Sequence, residues 1–135
     1  MRRIVLLLPT RTYRAPELMD AARRLGLGVT VGSEERNVLA DQDPDGYLAL
    51  DFDDVERLFA EDADIAAVIL EPMLANAGCI MPLPGYLKHV QAIAHAHGAL
   101  VICDEVLMGF RLHAGLAGLL DGLDPDLASV GKAIG

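Results

Sequence analysis

Three ionisable residues stand where a short apolar run gives way to polar or small residues: Glu71, Asp104 and Lys132. Asp104 directly follows Leu100-Val101-Ile102-Cys103. A carboxylate there loses part of its hydration and wants a cationic partner. At about 4 Å, with an effective dielectric near 20, such a pair attracts by about 4 kcal/mol before desolvation is subtracted. The same acid also suits capping the turn that follows. Lys132 lies between Gly131 and Ala133. Held among apolar groups, a lysine favours its neutral, nucleophilic form; as a solvated loop residue it does no chemistry. Glu71 closes Ala66–Leu70 and is followed by Pro72.

The other candidates are poorer. His95 and His97 are two apart on an expected helix, so they point to different sides and cannot share a metal. His89 and His113 have no obvious co-ligand, and all four histidines read as surface or helix-end residues. No metal site is expected. No Walker A or dinucleotide glycine fingerprint is present, and Gly26 with Gly28 does not complete one.

The elements that must position these residues alternate between strand and helix. Ile4–Leu8, Val29–Val31, Ala66–Leu70, Ala99–Cys103 and Leu127–Val130 read as short strands. Ala15–Leu25, Asp53–Ala60 and Gly85–His97 read as helices, and Ala114–Leu120 as a weak one. Pro9–Arg14 and Met73–Pro84 are expected to be loops, and Asp43-Pro44-Asp45-Gly46 a turn in the polar stretch Ser33–Gly46. Strand–helix–strand alternation implies parallel strands with right-handed crossovers. The expected fold class is therefore α/β, a parallel, Rossmann-like sheet with flanking helices. Ligands of such sheets sit beyond the C-terminal strand ends. Glu71, Asp104 and Lys132 all fall at such ends and are expected to converge at one edge.

The chain has 135 residues, with 11 basic and 20 acidic side chains and a net charge of −9. That charge argues against a nucleic-acid or anionic-membrane partner, which needs a basic patch. The Met1-Arg2-Arg3 start before Ile4–Leu8 has too short an apolar run for a signal peptide, and Pro9 follows at once. No stretch is long enough to span a membrane. Cys79 and Cys103 lack paired-motif spacing, so a reduced, cytoplasmic setting is expected.

In combination, the motifs point further. Asp104-Glu105-Val106-Leu107-Met108-Gly109-Phe110-Arg111 resembles the Asp-Glu-Val-x-x-Gly-Phe-Arg signature of class III pyridoxal-phosphate (PLP) aminotransferases. Pro125-Asp126-Leu127-Ala128-Ser129-Val130-Gly131-Lys132-Ala133-Ile134-Gly135 is similar to that family's approach to its Schiff-base lysine. Val68-Ile69-Leu70-Glu71-Pro72 resembles its strand ending in Glu-Pro, and Pro84-Gly85-Tyr86-Leu87 its helix start. The four motifs occur in family order. Glu71-Pro72-Met73-Leu74-Ala75-Asn76-Ala77-Gly78 looks most like the glutamate-1-semialdehyde aminomutase branch, although Leu107-Met108 departs from the Met-Thr usual there and Met81 replaces a common Pro.

The resemblance covers about residues 51–135. It implies part of a PLP-transferase type I large domain. It implies a catalytic Lys132 forming the Schiff base, Asp104 on the ring nitrogen, Asn76 near the 3-hydroxyl, and further cofactor contacts from Val106 and Glu71. It implies amino-group transfer or an intramolecular amino shift on a small amino-acid-like substrate, toward 5-aminolevulinate in the aminomutase version, and a homodimer.

Residues 1–50, from Ile4-Val5-Leu6-Leu7-Leu8 through the Ala21–Gly26 helix end, resemble instead the small βαβ unit preceding ATP-grasp ligase domains. The expectation is thus two unlike pieces joined near Asp51–Asp54. No phosphate cradle is visible in the sequence, so the isolated chain is expected to bind PLP weakly and not to be a competent enzyme. Two other readings compete. One is an ATP-grasp-associated part of a nucleotide-dependent ligase. The other is a non-enzymatic, flavodoxin-like interaction domain using Asp104-Glu105 for Mg²⁺.

Overall fold

A computed structural model of the chain describes residues 3–7, 15–33, 47–49 and 55–135. The expected loop at 9–14, the turn at 43–46 and the join near 51–54 lie outside them. Two compact units, Met1–Val68 and Ile69–Gly135, divide the chain inside a strand, later than the join read from sequence.

The first unit holds β1 (Arg3–Leu7), α1 (Ala15–Arg24), β2 (Gly28–Ser33), β3 (Tyr47–Ala49), α2 (Val55–Glu61) and the start of β4 (Ile65–Leu70). Its strand order is β3-β2-β1-β4. β1 pairs with β2 in parallel, Ile4 opposite Val29, and β2 pairs with β3 in parallel, Val31 opposite Tyr47. α1 stops at Gly26, whose φ of 70° is free to glycine and strained for other residues. Val5, Val31, Val55, Leu58, Phe59, Ile65 and Val68 are buried. On α2, Val55, Leu58 and Phe59 share one face, as their spacing requires. The short β3 was not expected: three residues with no periodic neighbours carry no strand signal, and only pairing with β2 makes Tyr47–Ala49 a strand.

The second unit begins with the end of β4. A 3₁₀ turn (Ala75–Ala77), α3 (Tyr86–Ala96), β5 (Leu100–Asp104), a second 3₁₀ turn (Ala117–Asp121), β6 (Leu127–Ser129) and a third 3₁₀ turn (Lys132–Ile134) follow. α3 buries Leu87, Val90, Ile93 and Ala94, the stripe its spacing foretells. Its N-cap, Gly85, has no side chain to hold the first amides. Asp121 does so from across the unit, accepting the Gly85 N–H at 2.7 Å and the Leu87 N–H at 3.0 Å. Val101 and Cys103 of β5 are wholly buried, as are Val90 and Leu123. Each such aliphatic side chain contributes about 2 kcal/mol by leaving water.

β5 and β6 run parallel, with Ile102 opposite Leu127, Cys103 opposite Ala128 and Asp104 opposite Ser129. Asp104 is therefore the last residue of β5 rather than the first after it. β6 ends at Ser129, one residue short of the expected Val130.

The helix expected over Ala114–Leu120 is instead the 3₁₀ turn Ala117–Asp121. Gly115 and Gly118 weaken an α-helix. Gly118 also packs so closely that a Cβ there would lie 3.0 Å from Leu123 Cδ2. No helix among the described residues is long and apolar enough to cross a membrane.

Candidate active site

β5 delivers Asp104 half-buried at its end. Both hydrogen bonds to its carboxylate fall on Oδ1. The Val106 N–H donates at 3.1 Å, an Asx turn in which the side chain stands in for a backbone carbonyl. The Ser129 hydroxyl donates at 2.9 Å. Asp104 and Ser129 are register partners on β5 and β6. Oδ2 accepts no hydrogen bond among the described residues.

Beyond Ser129 the chain runs through Gly131, whose backbone is fully extended, into Lys132. A Cβ on Gly131 would lie 3.6 Å from Val106 Cγ1, so the half-buried Val106 side chain rests against the segment leading to the lysine. Lys132 opens the third 3₁₀ turn with φ 47°, in the left-handed region that non-glycine residues seldom occupy. Such a conformation costs on the order of 1 kcal/mol and is common where function constrains the backbone. Of the two placements open to Lys132, sheathed in apolar groups or solvated in a loop, the second is observed: its side chain is exposed. Val130 and Ile134, which flank it, are exposed too, so no apolar shell forms among the described residues.

Glu71, just after β4, is half-buried beside the buried Pro72. Its carboxyl is held above the usual carboxylate range, chiefly by burial and next by the negative charge of Asp104. The Ala75 amide and the Lys132 ammonium pull the other way. Glu71 thus feels the charges of both Asp104 and Lys132.

Asn76 is exposed in the first 3₁₀ turn. That turn follows Met73, which packs in one buried cluster with Met108 and Ala117, with Ala75 and Leu107 against it. The loop carrying Asn76 is in this way anchored to the loop that follows Asp104.

Ser129 is a residue of consequence that sequence did not single out. The signal available was its place at a strand end, three residues before Lys132, but a lone serine there has many readings. Glu105, which the sequence offered only as half of a Mg²⁺ pair, is a second residue of consequence. It has no exposed surface, and its Oε1 accepts the Gly118 N–H at 2.8 Å and faces the Cys103 thiol at 3.5 Å. Its Oε2 has no hydrogen-bond partner among the described residues. Its backbone N–H donates to the Ser129 carbonyl at 2.9 Å, and its carbonyl accepts the Gly109 N–H at 2.8 Å. Burial first, and then Glu105, push the Cys103 thiol far above its ordinary range, so that sulfur is not a nucleophile. With Glu105 buried, Asp104-Glu105 is not a solvent-facing carboxylate pair of the kind a Mg²⁺ site needs.

The geometry offers a carboxylate whose Oδ2 accepts no hydrogen bond among the described residues, an apolar side chain against the segment that follows β6, and an exposed primary amine three residues past the serine that binds Oδ1.

The family model described as aminotransferase class-III matches residues 31–135. The chain is 51% identical over 82 residues to a glutamate-1-semialdehyde 2,1-aminomutase of Myxococcus xanthus, a match spanning 60% of this chain and 19% of that protein. A protein of the same name from Symbiobacterium thermophilum is 55% identical over 71 residues, 53% of this chain and 16% of its own length. The chain thus spans about a fifth of the length of these relatives. Among solved structures, an acetylornithine aminotransferase from Elizabethkingia anophelis aligns over 98% of this chain and 27% of its own, at 22% identity and a TM-score of 0.65, a likeness of fold. An ornithine aminotransferase from Toxoplasma gondii, whose structure is described as having partial occupancy of PLP at the active site, aligns over 99% and 30% at 25% identity and a TM-score of 0.63. With a family match over most of its length, this chain belongs to the class-III aminotransferases.

Proposed function

We propose that this chain carries the lysine and the ring-nitrogen acid of a PLP-dependent aminotransferase or aminomutase, of the glutamate-1-semialdehyde aminomutase kind. The observation that carries the reading is the parallel pairing of β5 with β6, which sets Asp104 opposite Ser129, three residues before Lys132. The residues present fit the cofactor: Asp104 keeps Oδ2 open, Val106 offers an apolar flank, and the Lys132 amine is accessible. When bound, PLP supplies an electron sink for carbanion chemistry at an amino-bearing carbon.

The chain's own residues divide the remaining work. Lys132 Nζ would hold the cofactor through its aldehyde and serve as the base that moves a proton at the substrate's amino-bearing carbon. Asp104 Oδ2 would accept the hydrogen bond of the protonated ring nitrogen, Val106 would give the ring an apolar flank, and Asn76 would lie on its 3-hydroxyl side. Glu71, whose carboxyl is raised by burial and by the Asp104 charge, bounds the site. The substrate is a small amino-acid-like molecule, the assembly a homodimer and the setting cytoplasmic.

Borohydride reduction with PLP, in a context that supplies the rest of the fold, followed by peptide mass mapping, tests the assignment. Label at Lys132 is expected. Label at Lys88 with none at Lys132 overturns it. In the protein loaded to equal PLP occupancy, Asp104→Ala is expected to lower turnover far more than cofactor content; equal turnover removes Asp104 from the chemistry.

A further inference from the structure

We infer that Ser129 is a positioning residue: its hydroxyl, with the Val106 amide, locks the Asp104 carboxylate so that one oxygen is committed to the protein and the other is presented to the ligand's ring nitrogen. The inference rests on the proposed PLP reading for its purpose, but not for its geometry. Asp104 has two rotatable side-chain bonds, and a half-buried carboxylate bonded at one point could swing about them. Here two donors meet on the same oxygen, Oδ1, from different parts of the unit: Val106 N–H from its own turn at 3.1 Å, and Ser129 Oγ from the neighbouring strand at 2.9 Å.

The Asx turn alone fixes the carboxylate relative to β5. The serine fixes it relative to β6. Asp104 and Ser129 are register partners, and the Glu105 N–H to Ser129 carbonyl bond at 2.9 Å extends that pairing by one step. Three residues later the same segment reaches Lys132. Ser129 therefore couples the position of the acid to that of the amine, and these two groups must meet opposite ends of one rigid ring. A ligand bound at both ends is sensitive to their spacing.

The hydroxyl is also a donor to the charged form of Asp104, and hydrogen bonds to charged groups are the stronger kind. Threonine keeps that donor, whereas alanine loses it with almost no change in volume at an exposed site. The role therefore separates from simple packing.

The test uses the whole chain as wild type, Ser129→Ala, Ser129→Thr and Asp104→Asn. Without ligand, three-bond Hα–Hβ couplings of Asp104 report whether its side chain holds one rotamer. Wild type and Ser129→Thr are expected to show one, and Ser129→Ala averaged values. A single rotamer in Ser129→Ala overturns the inference whatever the cofactor does.

The second arm compares affinity for PLP with that for its 1-deaza analogue, in which the ring nitrogen is a C–H. Wild type and Ser129→Thr are expected to prefer PLP. Ser129→Ala is expected to lose about tenfold of that preference, the scale of one hydrogen bond to a charged group, with its affinity for the analogue unchanged. Equal losses for both ligands would mean a merely structural role and would overturn the inference. If wild type and Asp104→Asn show no preference between the ligands, the PLP reading of Asp104 fails, while the rotamer result still decides the lock.

Discussion

His95, near the end of α3, meets Asp126 Oδ2 at 2.8 Å, and the same oxygen accepts the Val101 N–H of β5 at 2.7 Å. Beside this pair, Gln91 Oε1 accepts the Asp124 N–H at 3.1 Å, and Gln91 Nε2 donates to the Asp124 carbonyl. Helix α3 is thus stitched to the segment that leads into β6. The Val101 amide first, and His95 next, hold the Asp126 carboxyl below its usual range. A carboxyl whose folded pKa lies below its unfolded value, about 3.9 for aspartate, stabilises the fold above that unfolded value. The contribution is lost as pH falls through the lower, folded one. Asp126→Asn is therefore expected to lower stability at pH 7 by about 0.5 kcal/mol, the scale of a solvent-screened exposed pair, and to flatten the acid limb of the stability profile. Urea unfolding from pH 7 down to pH 2 measures both; an unchanged acid limb would assign it to other carboxylates.

Glu71 is expected to behave in the opposite sense. Burial and the Asp104 charge raise its carboxyl above the ordinary value. Its ionised form then costs stability at neutral pH, and that cost disappears as pH falls through the raised folded pKa. Glu71→Gln removes the charge and is expected to raise the urea midpoint slightly at pH 7, by about 0.5 kcal/mol. The gain should vanish in acid. A loss at pH 7 equal to that in acid would mean that the carboxylate makes a favourable contact outweighing its burial.

Glu105→Ala is expected to be among the most damaging single changes in the second unit. It removes the acceptor of the Gly118 amide, strands that buried N–H, and leaves a cavity beside Cys103. The expected loss is about 3 kcal/mol. Glu105→Gln retains an acceptor at the Oε1 position and should lose less than half as much. Denaturant midpoints of the two variants, compared with wild type, decide it. Similar losses in both would show that the acceptor at the Oε1 position is not what the site depends on.

Asp121 caps α3 although more than thirty residues separate it from the helix start. Asp121→Ala is expected to cost about 1 kcal/mol, the ordinary worth of an N-cap. Amide exchange should rise selectively at Gly85 and Leu87. Exchange spread evenly through the unit would mean that the capping role is incidental.

Much of the site was legible in the sequence because its logic is local. An apolar run followed by an acid marks a strand end, and Ala66–Leu70 and Ala99–Cys103 are such runs before Glu71 and Asp104. The amphipathic stripe of α3 was legible for the same reason, since Leu87, Val90, Ile93 and Ala94 recur at helical spacing. The strand Tyr47–Ala49 and the 3₁₀ turn Ala117–Asp121 were not, because neither has periodicity: one is made by its neighbour, the other by close packing around Gly118.

What the sequence by itself determined was an α/β chain and the order of three candidate groups along it: an acid just after one strand, a second acid at the end of the next, and a lysine shortly past a third. Tertiary structure alone decided how those groups are held. That Asp104 commits one oxygen and frees the other depends on Ser129, which is 25 residues away and adjacent only through the β5–β6 register. That Glu105 is a buried clasp while its neighbour Asp104 is a presented acid depends on which side chain finds the Gly118 amide. That Lys132 is exposed on a left-handed backbone, rather than sheathed in apolar groups, depends on what packs around residues 130–134. The physical reason is common to all three. Residue type and spacing fix what a group can do, whereas its hydrogen-bond partners and its burial come from segments distant in sequence and are set only when the strands pair.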